Sequence, residues 1–392
     1  MSKLIILHAD ILTSQGILPD AVLIVENKLI THLQPYYRTM QLPPAEVLDA
    51  DGLLISPGWI DIQINGAFGE DFTQNPKSIW DVASRLPQYG VTSFLPTIIT
   101  SPLEIFLSAI EIWKDGPPPN WHGAIPLGFH FEGPFLNPGQ KGAHNPQYLR
   151  SSDLDLIPEW QVDNGVRMVT LAPELPGAIE MIGELRKRGI VVSAGHTMAT
   201  YEQALTAFNA GIGCATHLYN AMPELNHRAP GITGAVLINS ELPAGLIADG
   251  IHSHPFFIQL AWKWKGAKGI ILVSDAMAAM GMPFGEYNLA GYPVYVDESG
   301  ARLKDGRLAG SILTLPKAVQ NIMEFCELKL GDVLPSVTST PAQLLGLKNK
   351  GRIDVGCDAD LTLLNYQGEI KATIVGGRIE YASDDLNYSK HL

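Results

Sequence analysis

From residue 58 onward, short apolar runs recur along the chain: GWIDIQI (58–64), VTSFLPTII (91–99), AIPLGFHFE (124–132), VRMVTLAP (166–173), IVVSAGH (190–196), GCATHL (213–218), AGLIAD (244–249) and GIILVSD (269–275). Each is apolar through most of its length and does not alternate cleanly, the pattern of a strand covered on both faces. Amphipathic or Ala-rich stretches with helical spacing lie between many of them, as in 176–189 (PGAIEMIGELRKRG) and 200–211 (TYEQALTAFNAG). Strands alternating with helices in this number predict a parallel (β/α)8, TIM-type barrel over residues 57–345. Within it, 282–311 reads as a hairpin insertion and 314–330 as a final long helix. Residues 1–56 and 346–392 have another texture, short Val-, Ile- and Leu-rich runs broken by Asp, Gly and Pro. They predict a small β-sandwich domain built from both termini, so the fold class is α/β with an appended β unit.

Polar residues fall where those strands stop. Glu132 ends the third run, His196 the fifth, His217 stands near the end of the sixth, and Asp275 ends the eighth. In a barrel of this type the carboxyl ends of the strands form the active-site mouth. A lone strand-end His or Asp is more often a hydrogen-bonded or capping residue. Two histidines and a glutamate converging on one mouth instead form an open N/N/O ligand set suited to a catalytic divalent metal. Asp275 then stands where a base reaches water beside that metal. His130 lies two residues before Glu132, so strand alternation points it the same way but deeper, as a core or supporting residue rather than a ligand.

Composition narrows the partners. The net charge of −13 argues against nucleic acid and anionic membrane surfaces, which need a basic footprint. No apolar run approaches a membrane span, and the N-terminus mixes charge into its apolar residues, unlike a signal peptide. Cys214, Cys326 and Cys357 are few and far apart, which suits a reducing, cytoplasmic setting. His8, His32, His122 and His391 read as incidental, and His227 and His254 as surface or structural.

The segments PGWIDIQINGAFG, HFEGPFLNPGQKGAHNP, AGHT, THLYNAM, ADGIH and VSDAM closely resemble the N-acetylglucosamine-6-phosphate deacetylases of the amidohydrolase superfamily, along essentially the whole chain. The resemblance implies one divalent metal ion per subunit on Glu132, His196 and His217, zinc foremost, with iron(II) or cobalt as alternatives. It implies Asp275 as the catalytic acid/base and places Ala143, His144, Asn220, Ala221, Arg228, His252 and Leu308, Ala309 and Gly310 around a small amino-sugar phosphate. It further implies a homodimer, with some phosphate contacts crossing the subunit boundary. One departure stands out: where many amidohydrolases carry a His-x-His pair on strand one, this chain has Gln63 and Asn65. Neutral amides are poorer ligands than imidazole, so a mononuclear site is expected, with Gln63 a structural residue or a contact to a second ion under metal excess.

The chemistry expected is hydrolysis of an acetamide. Asp275 takes a proton from the attacking water and returns it to the leaving nitrogen, His144 helps the metal polarise the acetyl carbonyl, and Arg228 and His252 hold the phosphate. Two rivals stay open here: a deacetylase of the galacto epimer or another small-amide hydrolase on the same barrel, and, remotely, a non-catalytic scaffold that keeps the fold.

Overall fold

The computed structural model describes residues 3–386 and the backbone of 388–389; the remainder of the predicted C-terminal segment, His391 included, lies outside the described residues. Eight parallel strands follow one another in chain order: β1 (Trp59–Ile64), β2 (Val91–Ile99), β3 (Phe129–Glu132), β4 (Val166–Leu171), β5 (Val191–Ala194), β6 (Cys214–Ala215), β7 (Ala244–Leu246) and β8 (Ile270–Leu272). Each pairs with the next from β1 to β8. Closure comes just beyond the strand ends, where Asp275 N–H donates to Gln63 O (2.8 Å) and Asn65 N–H to Ala276 O (2.7 Å). The TIM-type barrel expected from the apolar alternation is therefore present, and its last seam is drawn shut by the residues flanking Asp275.

Alternation on β3 shows how the barrel sorts its side chains. Phe131 packs outward on Phe106 of the helix Leu103–Asp115 and on Trp160, with ring centroids 4.8 and 5.0 Å apart. His130 and Glu132 take the opposite face, toward the interior. Burying rings of this size contributes about 1.5–3 kcal/mol each, enough to hold the register of β3 and so the depth of Glu132. Inside, His130 bonds Ile62 O (3.1 Å) and Thr170 Oγ1 (2.7 Å), and a hydroxyl chain continues through Thr216 to Ser193. Burial pushes His130 down to about 4, so the ring is neutral, a core residue bonded to its neighbours.

Three local expectations differ from what is observed. The 124–132 run is split into Ile125–Pro126 and β3, because Gly128 sits at φ +119° with the Gly165 carbonyl only 2.6 Å from where a Cβ would be. The long helix stops at Cys326, since Glu327 turns left-handed (φ 54°), and a short helix Leu330–Val333 follows. The insertion is a three-stranded antiparallel sheet rather than a simple hairpin: Gly285–Leu289, Tyr292–Asp297 and Gly300–Leu303.

Both ends of the chain enter a second, nine-stranded sheet. Its central strand, Lys3–Thr13, pairs with Gly16–Glu26, Glu46–Asp49 and Leu54–Pro57, and the last of these pairs with Leu361–Leu364 from the other end. Ile6, Leu23, Leu363 and Ile374 share one core, while Ile5, Val22 and Ile24 form a smaller cluster of their own. Among the described residues no helix is long and apolar enough to cross a membrane.

Candidate metal and catalytic site

The mouth of the barrel is built from residues at or just past the strand ends. Glu132 closes β3, His196 follows β5 by two residues, His217 follows β6 by two, and Asp275 follows β8 by three. Glu132 is on regular strand backbone, but the other three are left-handed: φ is 49° at His196, 24° at His217 and 45° at Asp275. Such conformations cost about 1–3 kcal/mol each for residues other than glycine, and they persist where the surroundings over-determine them. Here they swing each side chain inward over the mouth instead of along the strand. Gly195 lets His196 do this, because a Cβ at residue 195 would lie 2.8 Å from both Thr170 Cγ2 and Thr216 Cβ. The opening left by the His196 turn is followed at once by a helix, Tyr201–Ala210, started by a Thr200–Gln203 capping box.

Glu132, His196 and His217 meet at one point. His196 Nε2 is 3.0 Å from Glu132 Oε1 and 3.1 Å from His217 Nε2, and His217 Nε2 is 3.1 Å from the same Glu132 oxygen. His196 spends its Nδ1 hydrogen on the Gln140 carbonyl (2.8 Å), which leaves Nε2 facing the other two groups, with its lone pair available in the neutral ring. Lone pairs facing each other at this range repel unless a cation sits among them. A zinc-like ion with bonds near 2.0–2.1 Å sets its nitrogen ligands about 3.3 Å apart, close to the separations found. All three are buried, and His217 Nδ1 has no hydrogen-bond partner. The donor set fits a divalent metal. Burial alone would raise Glu132, but its short contacts with the His196 and His217 rings hold it well below the usual carboxylate range. Burial lowers His217, yet the bond and charge of Glu132 prevail and raise it.

Asp275 is held by the residues that replace the His-x-His pair. Asn65 Nδ2 donates to Asp275 Oδ1 (2.8 Å), and Gln63 Nε2 donates both to that oxygen (3.2 Å) and to Glu132 Oε1 (3.3 Å). The two amides thus hold the two carboxylates apart and oriented. Burial, with the charge of Glu132 adding to it, raises Asp275 to about 6. His144 is also buried, and burial keeps it well below its ordinary value, hence neutral. Thr100 meets His144 Nδ1 with both its backbone N–H (3.3 Å) and its hydroxyl (2.8 Å); with the N–H as donor, the ring hydrogen is on Nε2.

These groups line one cavity of about 390 Å³. Of the residues expected from sequence, Glu132, Ala143, His144, His196, His217, Asn220, Ala221, His252, Asp275, Leu308 and Gly310 line it. Gln63 is beneath its floor through the bonds above. Ala309 is fully buried behind the wall, its N–H on Ala301 O. Arg228 is not among the lining residues; it is exposed, with its N–H on Asn226 Oδ1. His252 lines the cavity while its Nδ1 pairs with Asp249 (2.6 Å). Sequence reading missed two cations at the wall, Lys141 and Arg307. Arg307 reaches from the insertion to the Gly142 carbonyl, a contact across 165 residues that no local pattern signals. Lys141, three residues before His144 in the quoted KGAHNP segment, was within reach of a search for cations beside the site.

The sequence profile of the amidohydrolase family matches residues 54–379. N-acetylglucosamine-6-phosphate deacetylase from Bacillus subtilis is 39% identical, the match covering 90% of this chain and 89% of the relative's. The crystal structure of N-acetylglucosamine-6-phosphate deacetylase from Pasteurella multocida is 31% identical with a TM-score of 0.89, covering 97% of this chain and 100% of that one. A mutant of the corresponding Mycobacterium smegmatis enzyme, solved in complex with N-acetyl-D-glucosamine-6-phosphate, is 28% identical with a TM-score of 0.88, over 97% of this chain and 100% of that one.

Proposed function

The chain belongs to the amidohydrolase family, among its N-acetylglucosamine-6-phosphate deacetylases, and we propose that it hydrolyses the acetamide of N-acetyl-D-glucosamine 6-phosphate to D-glucosamine 6-phosphate and acetate. The observation that carries this reading is the convergence of Glu132, His196 and His217 within 3.1 Å, beside Asp275 and in one cavity with His144. A divalent ion on those three ligands, zinc foremost and one per subunit, supplies Lewis acidity that activates water and polarises the acetyl group.

The protein's own groups do the rest. Asp275, ionised and aimed by Asn65 and Gln63, takes a proton from the attacking water as the new C–O bond forms. It then returns that proton to the sugar nitrogen as the C–N bond breaks. The Nε2–H of His144 donates to the acetyl oxygen as negative charge grows there. Asn220, Ala221, His252, Leu308 and Gly310 hold the sugar phosphate. Lys141 and Arg307 set positive charge at the cavity wall of an otherwise acidic chain. In a cytoplasmic homodimer, Arg228, exposed and outside the cavity lining of its own chain, adds a phosphate contact across the subunit boundary.

Two measurements test this. Acetate release should be fast from N-acetylglucosamine 6-phosphate and much slower from the unphosphorylated sugar; the same assay on the galacto 6-phosphate reads the epimer preference. Arg228→Ala should raise KM about tenfold or more for the phosphorylated substrate, a loss of roughly 1.4 kcal/mol, with kcat little changed. Equal KM values would remove Arg228 from phosphate recognition.

The acid limb of kcat/KM follows from Asp275. A carboxyl raised to about 6 is protonated below that pH, so the base is lost as pH falls through it. The charge of a bound cation opposes the rise, which sets the midpoint between the ordinary value of ~4 and about 6. Activity undiminished down to pH 4 would contradict the assignment.

A further inference from the structure

Strand β4 contributes no residue to the cavity wall, yet the loop after it carries a carboxylate on which three donors converge. Glu174 Oε1 accepts from Asn137 Nδ2 (2.8 Å) and from the Met198 backbone N–H (2.6 Å), and Oε2 accepts from the Thr197 hydroxyl (2.5 Å). The donors come from two other loops. Asn137 follows β3; Thr197 and Met198 directly follow His196.

Both loops end on His196. The Asn137 N–H donates to the His196 carbonyl (2.9 Å). The Asn137 side-chain oxygen accepts from Gly139 N–H (2.8 Å) and starts the single turn Pro138–Gln140, whose last carbonyl takes the His196 Nδ1 hydrogen (2.8 Å). Glu174 therefore reaches the imidazole by two routes: through Thr197 and Met198 to its backbone, and through Asn137 to the carbonyl that selects its tautomer. The left-handed φ of 49° at His196 needs such over-determination, because a free chain would relax out of it. Ligand aim of this kind is set by groups that never touch the metal.

We infer that Glu174 is a positioning residue for the metal site, holding the turn that aims His196 Nε2 at Glu132 and His217. The inference rests on the reading that those three residues bind a divalent ion.

The test uses full-length protein freed of metal by chelation. Dissociation constants for zinc and cobalt are measured by competition with a chromophoric chelator, alongside the visible absorption of the cobalt-loaded protein, kcat, KM and Tm. Glu174→Ala should weaken metal binding about 10–100-fold, alter the cobalt spectrum and lower kcat more than it raises KM. Glu174→Gln should recover most of the affinity. Its amide oxygen, placed at the Oε1 position, still accepts from Met198 and Asn137, and its NH2 donates to a Thr197 hydroxyl turned to accept. Should Glu174→Ala fail to fold, Thr197→Val removes one of the same bonds from the other side and should shift affinity and spectrum in the same direction, by less. A lowered Tm with wild-type affinity and spectrum would make Glu174 a purely structural residue, and a glutamine variant as impaired as the alanine one would refute the hydrogen-bond route. His196→Ala separates the two ideas. If it too binds metal like wild type, the ligand set falls and this inference with it; if it loses metal while Glu174→Ala does not, the inference on Glu174 alone falls.

Discussion

Asp275→Asn is expected to leave metal content unchanged and to lower kcat by about 10³-fold, equivalent to about 4 kcal/mol in the barrier. The substitution isolates proton transfer because the surrounding bonds survive it. An asparagine carbonyl oxygen in the Oδ1 position still accepts from Asn65 Nδ2 and Gln63 Nε2, which now lie 2.8 and 3.2 Å from that oxygen. The Asp275 main chain also keeps its bonds to Gln63 O and from Ser311 N–H, so the β8–β1 seam stays closed. What disappears is a group able to take a proton from water and hand it on. Steady-state acetate release together with elemental analysis of the purified variant reads both halves, and robust turnover with metal present would exclude the acid/base role.

Removing the cation should have an effect at least as large. Dialysis against a strong chelator is expected to bring activity to background, and re-addition of zinc, cobalt or iron(II) to restore it to differing degrees. His217→Ala should bind metal too weakly to be rescued at ordinary concentrations, since it removes one of three ligands and leaves Glu132 and His196 facing each other across a gap. A second readout is independent of catalysis. An ion that binds only the folded chain raises its stability by about 4 kcal/mol at a thousandfold excess over Kd, so Tm should rise with added metal in wild type and not in His217→Ala. Full activity after stringent chelation would overturn the site as described.

The three converging side chains were legible in the sequence for a definite physical reason. A strand covered on both faces must be apolar, so a His or Glu at its carboxyl end breaks a strong pattern, and the barrel topology brings all such ends to one mouth. Glu132 shows the rule at its simplest: it shares a face with His130 by alternation, and the phenylalanines between and before them face the helices. Arg228 shows its limit. A loop arginine near a motif reads as a phosphate ligand, but whether it lines the cavity of its own chain, which Arg228 does not, depends on packing that local pattern does not encode. Glu174 marks the opposite failure: it sits just past a recognised strand and carries no motif signal, while its three donors come from 37 residues before it and 23 and 24 after.

Sequence alone was thus sufficient for the order of eight strands, the class of barrel and the placing of Glu132, His196, His217 and Asp275 at its strand ends, because those follow from apolar periodicity and from which residue type interrupts it. Tertiary structure decided the rest: the left-handed backbone at His196, His217 and Asp275, the Gln63 and Asn65 amides clasping Asp275, the Thr100 contacts on His144 Nδ1, and the cations Lys141 and Arg307 at the wall. Each of these is a contact between segments distant along the chain, or a backbone strain that only such contacts sustain. Local pattern reports what a residue prefers, and at this site the assembled barrel imposes conformations that those preferences oppose.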